Sequence, residues 1–211
     1  MMKTKDRILS VSLELFNRDG VGQVSTLIIA TEMGISPGNL YYHFRGKDEI
    51  IATLVNELQN SLTTISNEYA SQVKDFDDYW PFMHTVMALF THYRFLFRNL
   101  DSLNGQNPQI KRKIRTLILK LRHLCNDMLK HLVELDKLNC DAQSLPLLAD
   151  NLLLVSLNWL NYQTLLDDHY SESDLARSGV LRLISLVEPY LTENAKSPFF
   201  THQDLVQELV T

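Results

Sequence analysis

A short run of polar and aromatic side chains, GNLYYH at residues 38–43, has the chemistry to contact the edges of DNA bases. Gly38, Asn39, Tyr42 and His43 share one side of a helix, because residues three and four apart are neighbours on a helical surface. In the major groove an Asn amide pairs with adenine, and flat apolar groups pack on thymine methyls. The run therefore indicates a surface that contacts nucleic acid.

Two short helices joined by a tight turn are predicted to position this run. Ser25 or Thr26 caps the first helix, and Gly34 ends it. Ser36 caps the second helix, with Pro37 at its first position, where no amide donor is missed. The inward faces are predicted to carry Leu27, Ile29, Ala30 and Met33 on the first helix, and Leu40, Tyr41 and Phe44 on the second.

Any helical hairpin has a glycine stop and an apolar inner face, so this spacing alone leaves DNA binding open. The residues themselves resemble the N-terminal DNA-binding domain of the TetR family of bacterial transcriptional regulators. The resemblance is carried by ILSVSLELFNRDG and by STLIIATEMGISPGNLYYHFRGKDEI, most specifically by GISPGNLYYHF followed by Lys47 and Ile50. Leu27 and Ile28 depart from the family pattern, which usually has polar or basic side chains there, and Met33 replaces a customary small residue.

The resemblance implies an all-α fold: an N-terminal helix-turn-helix head at residues 3–60 and a helical effector-binding and dimerisation domain at residues 61–211. It implies a homodimeric regulator, a repressor of a near-palindromic double-stranded DNA operator that responds to a small effector. Asn39 and Tyr42 would touch bases, His43 a phosphate or guanine, and Tyr41 would brace the backbone contact. The expected DNA-binding residues are Ser25, Thr26, Ser36, Pro37, Gly38, Asn39, Tyr41, Tyr42, His43 and Lys47.

Composition places the chain among ordinary globular proteins. It has 211 residues, of which 45% are hydrophobic and 21% are charged, so a core of real size is expected. The first residues lack the apolar core of a secretory signal. The most apolar run, residues 145–160, is interrupted by Pro and Asp and is shorter than the ~20 residues of a membrane span. Cys125 and Cys140 have no metal-ligand spacing, which favours a reduced, cytoplasmic protein without metal or cofactor.

Charge is divided unevenly along the chain. The overall net charge is −5, yet residues 1–50 hold six basic and six acidic side chains. The predicted head is therefore neutral, and the negative excess lies behind it. Phosphate binding would then depend on helix N-termini and backbone amides as well as on Lys and Arg. We expect a modest salt dependence, with fewer than about six phosphates neutralised per protomer.

Longer helices are predicted on either side of the hairpin. Before it, Thr4 is expected to cap a helix that ends at Gly20. After it, Asp48 and Glu49 begin a helix of about four apolar turns, followed by a polar bend at residues 66–78. Because this helix can bridge two domains, it is the expected lever of a switch.

An aromatic-rich stripe follows on a helix predicted from Asp78 to Leu100. Its members can simply pack in the core, or they can line a pocket for a small apolar or aromatic effector. The candidate pocket residues are Trp80, Met83, His84, Met87, Phe90, Tyr93 and Phe97, with Trp159 and Tyr162 from a later helix.

Three more long helices are expected, the first opened by Pro108 and the others near residues 144–169 and 173–191. The basic side chains between Lys111 and Arg122 form either a solvated face or a second nucleic-acid patch. The last two helices carry more apolar surface than one internal face requires, which indicates a partner. By the resemblance, that partner is a second copy joined through a four-helix bundle.

Three other functions rival that of an effector-responsive DNA-binding regulator. An enzyme is disfavoured, because the chain contains no GxSxG, HExxH, P-loop or CxxC motif. A helical adaptor that binds another protein, and a DNA-binding regulator without a small effector, both stay open.

Overall fold

The computed structural model describes residues 3–70, 78–100, 103, 107–166 and 171–195. These residues are almost entirely helical, with one isolated bridge between Leu138 and Leu191, and the all-α prediction is confirmed. None of the described helices has the length and hydropathy needed to cross a membrane. The helices are α1 (Thr4–Asp19), α2 (Thr26–Glu32), α3 (Pro37–His43), α4 (Lys47–Ala70), α5 (Tyr79–His92), α6 (Arg94–Arg98), α7 (Pro108–Glu134), α8 (Leu145–Leu166) and α9 (Glu172–Val187), followed by 3-10 turns at Glu188–Tyr190 and Glu193–Ala195.

The chain forms two compact units that differ from the predicted domains. The first contains Met1–Ser61 and Tyr93–Leu117, and the second contains Leu62–His92 and Ile118–Thr211. Residues 93–117 were predicted to belong to the second domain, but they are part of the first unit because they pack against it. The Phe95 ring centroid lies 5.4 Å from that of Phe16, and the Phe95 N–H donates to Asn17 Oδ1 at 2.9 Å.

The core of the first unit is built where α1, α2 and α3 meet. Ile8 and Phe16 of α1, Ile29 of α2, and Leu40 and Phe44 around α3 are all buried. The predicted cap on α1 is wrong, since Thr4 is its first helical residue and the N-cap has no side-chain hydrogen bond. Its predicted end is confirmed: Gly20 follows the last residue with a φ of 83°, a conformation that glycine adopts without strain.

Helix α4 is longer than the sequence indicated. It covers 24 residues and buries an apolar stripe that includes Ile50, Leu54 and Leu58. The predicted bend does not begin at Ser66, because the Ser66 hydroxyl donates to the Leu62 carbonyl at 2.7 Å and the residue stays helical. The rest of the predicted bend, residues 71–77, lies outside the described residues.

The helix predicted from Asp78 to Leu100 is interrupted. Helix α5 ends at His92, and Tyr93 leaves helical geometry with φ −100° and ψ 31° before α6 begins. Tyr93 and Phe97 are buried, but they belong to the first unit, whereas α5 belongs to the second. The aromatic stripe is therefore not one surface.

In the second unit, α9 packs closely against α5 and α8 at Gly179. A Cβ built at this position would contact the Met87 methyl and would lie 2.8 Å from Trp159 Cδ1. No side chain fits there without displacing a neighbour. Glycine therefore sets the separation of these helices.

Candidate DNA-binding surface and apolar cavity

The turn between α2 and α3 forms as the sequence predicts. Ser25 Oγ accepts a hydrogen bond from the Ile28 N–H at 3.3 Å, and Ser36 Oγ accepts one from the Asn39 N–H at 3.2 Å. Gly34 has a φ of 65° between the two helices. Both predicted caps are confirmed, so local signals set where α2 and α3 begin.

The outward face of α3 presents a short set of polar and aromatic side chains. Gly38 and Asn39 are exposed, and Tyr42 is 86% exposed. The half-buried His43 ring packs edge-on against Tyr42, with 5.1 Å between centroids. This face offers an amide, an imidazole and a phenol, which are groups that hydrogen-bond to base edges and phosphates.

Two side chains that were predicted to point inward are exposed. Tyr41 is 52% exposed and Leu27 is 60% exposed. Tyr41 follows the buried Leu40 by one residue, and Leu27 precedes the buried Ile29 by two. Because an α-helix turns ~100° per residue, both side chains point away from the buried face. The Tyr41 hydroxyl lies 3.1 Å from Thr26 Oγ1 and so connects α3 to the start of α2.

Lys47 is half-buried and already has a partner within the protein. Its Nζ donates to the Val21 carbonyl at 2.8 Å and so holds the turn between α1 and α2. Arg45, in contrast, is exposed just beyond α3, with its backbone N–H bonded to Glu49 Oε2 at 2.7 Å. The DNA-binding residues expected from the sequence did not include Arg45, although a basic residue directly after α3 was a usable signal.

The second unit contains an apolar cavity of about 80 Å³ between α5, α7, α8 and α9. Three of the predicted pocket residues, Met83, Met87 and Phe90, line it. Sequence reasoning treated the α7 residues only as a buried stripe. The other lining residues are Tyr79, Phe82, Val86, Leu121, Leu124, Cys125, Met128, Leu129, Leu132, Leu152, Leu153, Ser156, Leu183, Ile184 and Val187.

Trp159 and Tyr162 do not line this cavity. Trp159 is buried between α8 and α9, where its indole N–H donates to the Leu175 carbonyl at 3.2 Å. The Arg182 guanidinium carbon lies 4.2 Å from the Trp159 ring centroid and 5.5 Å from that of Tyr162. Trp159 and Tyr162 therefore pack α8 against α9.

His84 of α5 is half-buried and is not part of the lining. Tyr93 and Phe97 lie in the first unit, on the other side of the break after α5. The Trp80 side chain lies outside the described residues. A single predicted stripe therefore divides into three cavity residues and several with other roles.

Burial raises the pKa of two groups in the cavity wall, Tyr79 and Cys125. Burial raises the pKa of Tyr79 to about 12, with a smaller contribution from the charge of Glu134. The Tyr79 hydroxyl lies 2.9 Å from His131 Nδ1. Burial also raises the pKa of Cys125 to about 11, so its thiol is neutral at physiological pH.

Helix α8 presents an exposed apolar face. Its one charged residue, Asp150, receives a two-point hydrogen bond from Arg122 of α7 at 2.5 and 2.8 Å, which lowers the pKa of the carboxyl. The remaining surface is apolar or amide in character. Its exposed large apolar side chains are Leu147, Leu154, Tyr162, Leu165 and Leu166.

A capped helix-turn-helix with an exposed second helix, followed by a helical unit with an apolar cavity, defines the class of helix-turn-helix DNA-binding proteins. Two family descriptions match the chain: "Bacterial regulatory proteins, tetR family" over residues 8–54 and "Bacterial transcriptional repressor" of the TetR type over residues 54–199. The chain belongs to the TetR family of bacterial transcriptional regulators.

Individual proteins agree with this assignment. An uncharacterised HTH-type transcriptional regulator of Haemophilus influenzae is 30% identical over 105 residues, 50% of this chain and 49% of that protein. The chain thus spans about half the length of such curated relatives. A TetR-family regulator of Marinobacter aquaeolei VT8 is 28% identical in its crystal structure, with a TM-score of 0.78 and 98% of each chain covered. The SmeT–triclosan complex has a TM-score of 0.68 at 17% identity, covering 93% of this chain and 96% of that one, and so shares the fold.

Proposed function

We propose that this protein is a homodimeric repressor that binds a near-palindromic DNA operator and releases it when a small apolar or aromatic effector binds. The observation that carries the proposal is the outward face of α3. Asn39 and Tyr42 project from a helix that is held in place by the buried side chains of Leu40 and Phe44. A rigid helix with an exposed polar face is what insertion into a major groove requires.

In this proposal each residue of the face has its own contact. Asn39 and Tyr42 reach base edges or thymine methyls, and His43 reaches a phosphate or guanine. Gly38 lets the backbone approach the DNA closely. The exposure of Asn39, Gly38 and Tyr42 supports these roles.

Phosphates are held around this reading face. The capping residues Ser25 and Ser36 mark two helix N-termini, where backbone N–H groups favour anions. Thr26 and Lys47 contribute beside them, although Lys47 also serves the protein through Val21. The exposed Arg45 joins this set, and Tyr41 acts by fixing Thr26.

The dimer forms through the C-terminal helices. The exposed face of α8 has Leu147, Leu154 and Leu165 on one side of the helix and is free of unpaired charge within the described residues. A charge-depleted apolar face is typical of an interface core. A second copy covers it, and the two-fold symmetry matches two operator half-sites about 34–36 Å apart, or a multiple of that distance.

The effector enters the apolar cavity and moves the reading helices. Helix α4 is continuous from Lys47 to Ala70, so it belongs to the head at one end and to the second unit at the other. A shift of α4 would change the half-site separation. A coupling of ~1–3 kcal/mol between the two sites is enough for a useful switch.

This assignment keeps residues 3–60 as the DNA-reading head and residues 61–211 as the effector and dimer region, with residues 93–117 packed in the head's unit. The protein would act in the cytoplasm, where its operator is accessible. That SmeT, which shares the fold, was solved with triclosan supports a small lipophilic effector.

A footprint tests the proposal. Purified protein is titrated onto DNA from upstream of its own and neighbouring coding regions, and the protected bases are mapped. We expect two symmetric half-sites on one face of the duplex, which the double variant Asn39→Ala, Tyr42→Ala loses while it stays folded. An adaptor would protect no DNA. A regulator without an effector would give a footprint that cell metabolites leave unchanged.

A further inference from the structure

The lining of the cavity contains no charged side chain among the described residues. Leu, Ile, Val, Phe and Met side chains form most of it. Its polar exceptions are Tyr79, Cys125 and Ser156. Whether these three can bind a polar ligand group therefore decides which ligands the cavity accepts.

Each of the three is already satisfied or neutral. The Tyr79 hydroxyl is hydrogen-bonded to His131 Nδ1 at 2.9 Å. The Ser156 hydroxyl donates to the Leu152 carbonyl of its own helix at 2.7 Å. The half-buried Cys125 thiol is protonated, because its pKa is raised. None of them offers a charge, and both hydroxyl protons are used within the protein.

Two cationic side chains on the same helices already have contacts within the protein. Arg122 of α7 is paired with Asp150 of α8 at 2.5 Å. Arg182 of α9 stacks on the Trp159 ring, 4.2 Å from its centroid. An ionised ligand would lose its hydration in this cavity without meeting a counter-charge in the lining, which is strongly unfavourable.

The remaining chemistry of the wall favours rings. Met83, Met87 and Met128 place three thioether groups around the cavity, beside Phe82 and Phe90. Thioether sulphur makes favourable contacts with aromatic rings, and the flexible methionine chain adapts to different ring shapes. Saturated chains would gain burial but not these contacts.

We infer that the effector is an uncharged aromatic molecule, and that the cavity rejects anions and cations of the same ring system. This inference rests on the proposed function, in which the cavity is the effector site. The ligand enters by displacing methionine side chains. The cavity of about 80 Å³ is smaller than the roughly 150 Å³ that admits benzene in an engineered core.

This displacement reaches the packing of α9. The Met87 methyl occupies the space against Gly179 where a side chain would otherwise lie. A ligand that moves Met87 therefore alters the contact between α5 and α9. Binding of a ring is therefore coupled to the contact between α5 and α9 within the second unit.

The test uses the full chain and a neutral fluorescent probe, N-phenyl-1-naphthylamine. Three naphthalenes compete for it: neutral 1-methylnaphthalene, anionic 1-naphthoate and cationic 1-naphthylmethylammonium. We expect saturable binding of the probe and displacement by the neutral ring at a concentration at least about tenfold below that of either ion. Equal displacement by either ion overturns the inference, and so does absence of probe binding.

A matched pair of variants locates the site. Val86→Phe adds bulk to the cavity wall, and Leu119→Phe adds a ring to an exposed position of α7 outside the lining. Val86→Phe should lower probe affinity at least about tenfold, whereas Leu119→Phe should not change it. Circular dichroism checks folding; if Val86→Phe does not fold, the competition in the wild-type protein still decides. Unchanged affinity in folded Val86→Phe overturns the inference.

Footprinting run in parallel separates the two proposals. An operator footprint without naphthalene binding overturns the effector inference and leaves the DNA-binding proposal intact. Selective binding of the neutral ring without any footprint overturns the DNA-binding proposal and supports only the ring selectivity of the cavity.

Discussion

The Tyr41 hydroxyl and Thr26 Oγ1 lie 3.1 Å apart and connect α3 to the first residue of α2. The two residues are 15 positions apart in the chain, so the bond fixes the angle at which the hairpin presents its outer face. Both were expected to contact DNA from the sequence. The bond means that a substitution at either residue also alters the scaffold.

Tyr41→Phe should lower the free energy of unfolding by ~0.5–1.5 kcal/mol, the usual net value of one hydrogen bond. Thr26→Val should cost a similar amount, and the double variant should cost little more than either single change. Urea denaturation measures all four proteins. Tyr190→Phe in the second unit is the control. Additive losses at Tyr41 and Thr26 would show that the two hydroxyls act independently.

Asn39→Ala should relax base preference at one operator position by ~1–3 kcal/mol, because a bidentate amide contact to adenine is lost. Binding to a set of singly substituted operators measures this change. Asn60→Ala, an exposed amide on α4, is the matched control and should leave preference unchanged. If Asn39→Ala weakens every operator equally, Asn39 does not read a base.

Arg45→Met and Lys47→Met should differ, although both remove a positive charge near α3. Arg45→Met should lower the affinity for all DNA sequences and leave the stability unchanged. It should also reduce the slope of log affinity against log salt concentration by about one. Lys47→Met should also cost ~1–3 kcal/mol of stability, since the Val21 carbonyl loses its donor. Salt titrations and thermal melts separate the two effects. A wild-type slope well above six would contradict the neutral head.

Leu154→Glu should dissociate the dimer, because it places a charge in the apolar face of α8. Leu154 is 59% exposed, and Leu119 on α7 is similarly exposed at 52%. Leu119→Glu is therefore a control for surface charge. Sedimentation equilibrium should show a monomer only for Leu154→Glu, with weaker operator binding. A stable Leu154→Glu dimer would place the interface elsewhere.

Stability should fall between about pH 9 and pH 11 as the unfolded state loses protons that the folded state keeps. Burial raises the pKa of Cys125 to about 11, so the unfolded thiol ionises first as pH rises. Tyr79, with its pKa raised to about 12, adds to the loss at higher pH. Urea melts at pH 8 and 10.5 measure the fall, which Cys125→Ala should reduce. Iodoacetamide at pH 8 should alkylate Cys140 before Cys125.

The hairpin followed directly from the sequence because its signals are local. Ser25, Gly34 and Ser36 act within three or four residues, and their hydrogen bonds and turn conformation form as expected. Tyr41 and Leu27 were misplaced because a seven-residue helix has room for only one or two buried positions per turn. A short apolar run cannot show which of its members those are.

The cavity depended on contacts between distant segments. Met83, Met87 and Phe90 share one side of α5, so periodicity found them. Periodicity could not show that the helix ends before Tyr93, or that Trp159 would be covered by Arg182. It also could not show that α7 supplies one wall, because nothing in a single helix identifies the helix opposite.

The amino-acid sequence alone determined the family and the all-α class, through its resemblance to known regulators. It also determined the capped hairpin, whose signals act within a few residues and impose their own geometry. Only the tertiary structure decided that residues 93–117 pack with the head, that Lys47 has a partner at Val21, and which side chains enclose the cavity. The physical reason is that these contacts join residues far apart in the chain. Their positions depend on how whole helices pack. That packing is set by the burial of all the apolar faces at once.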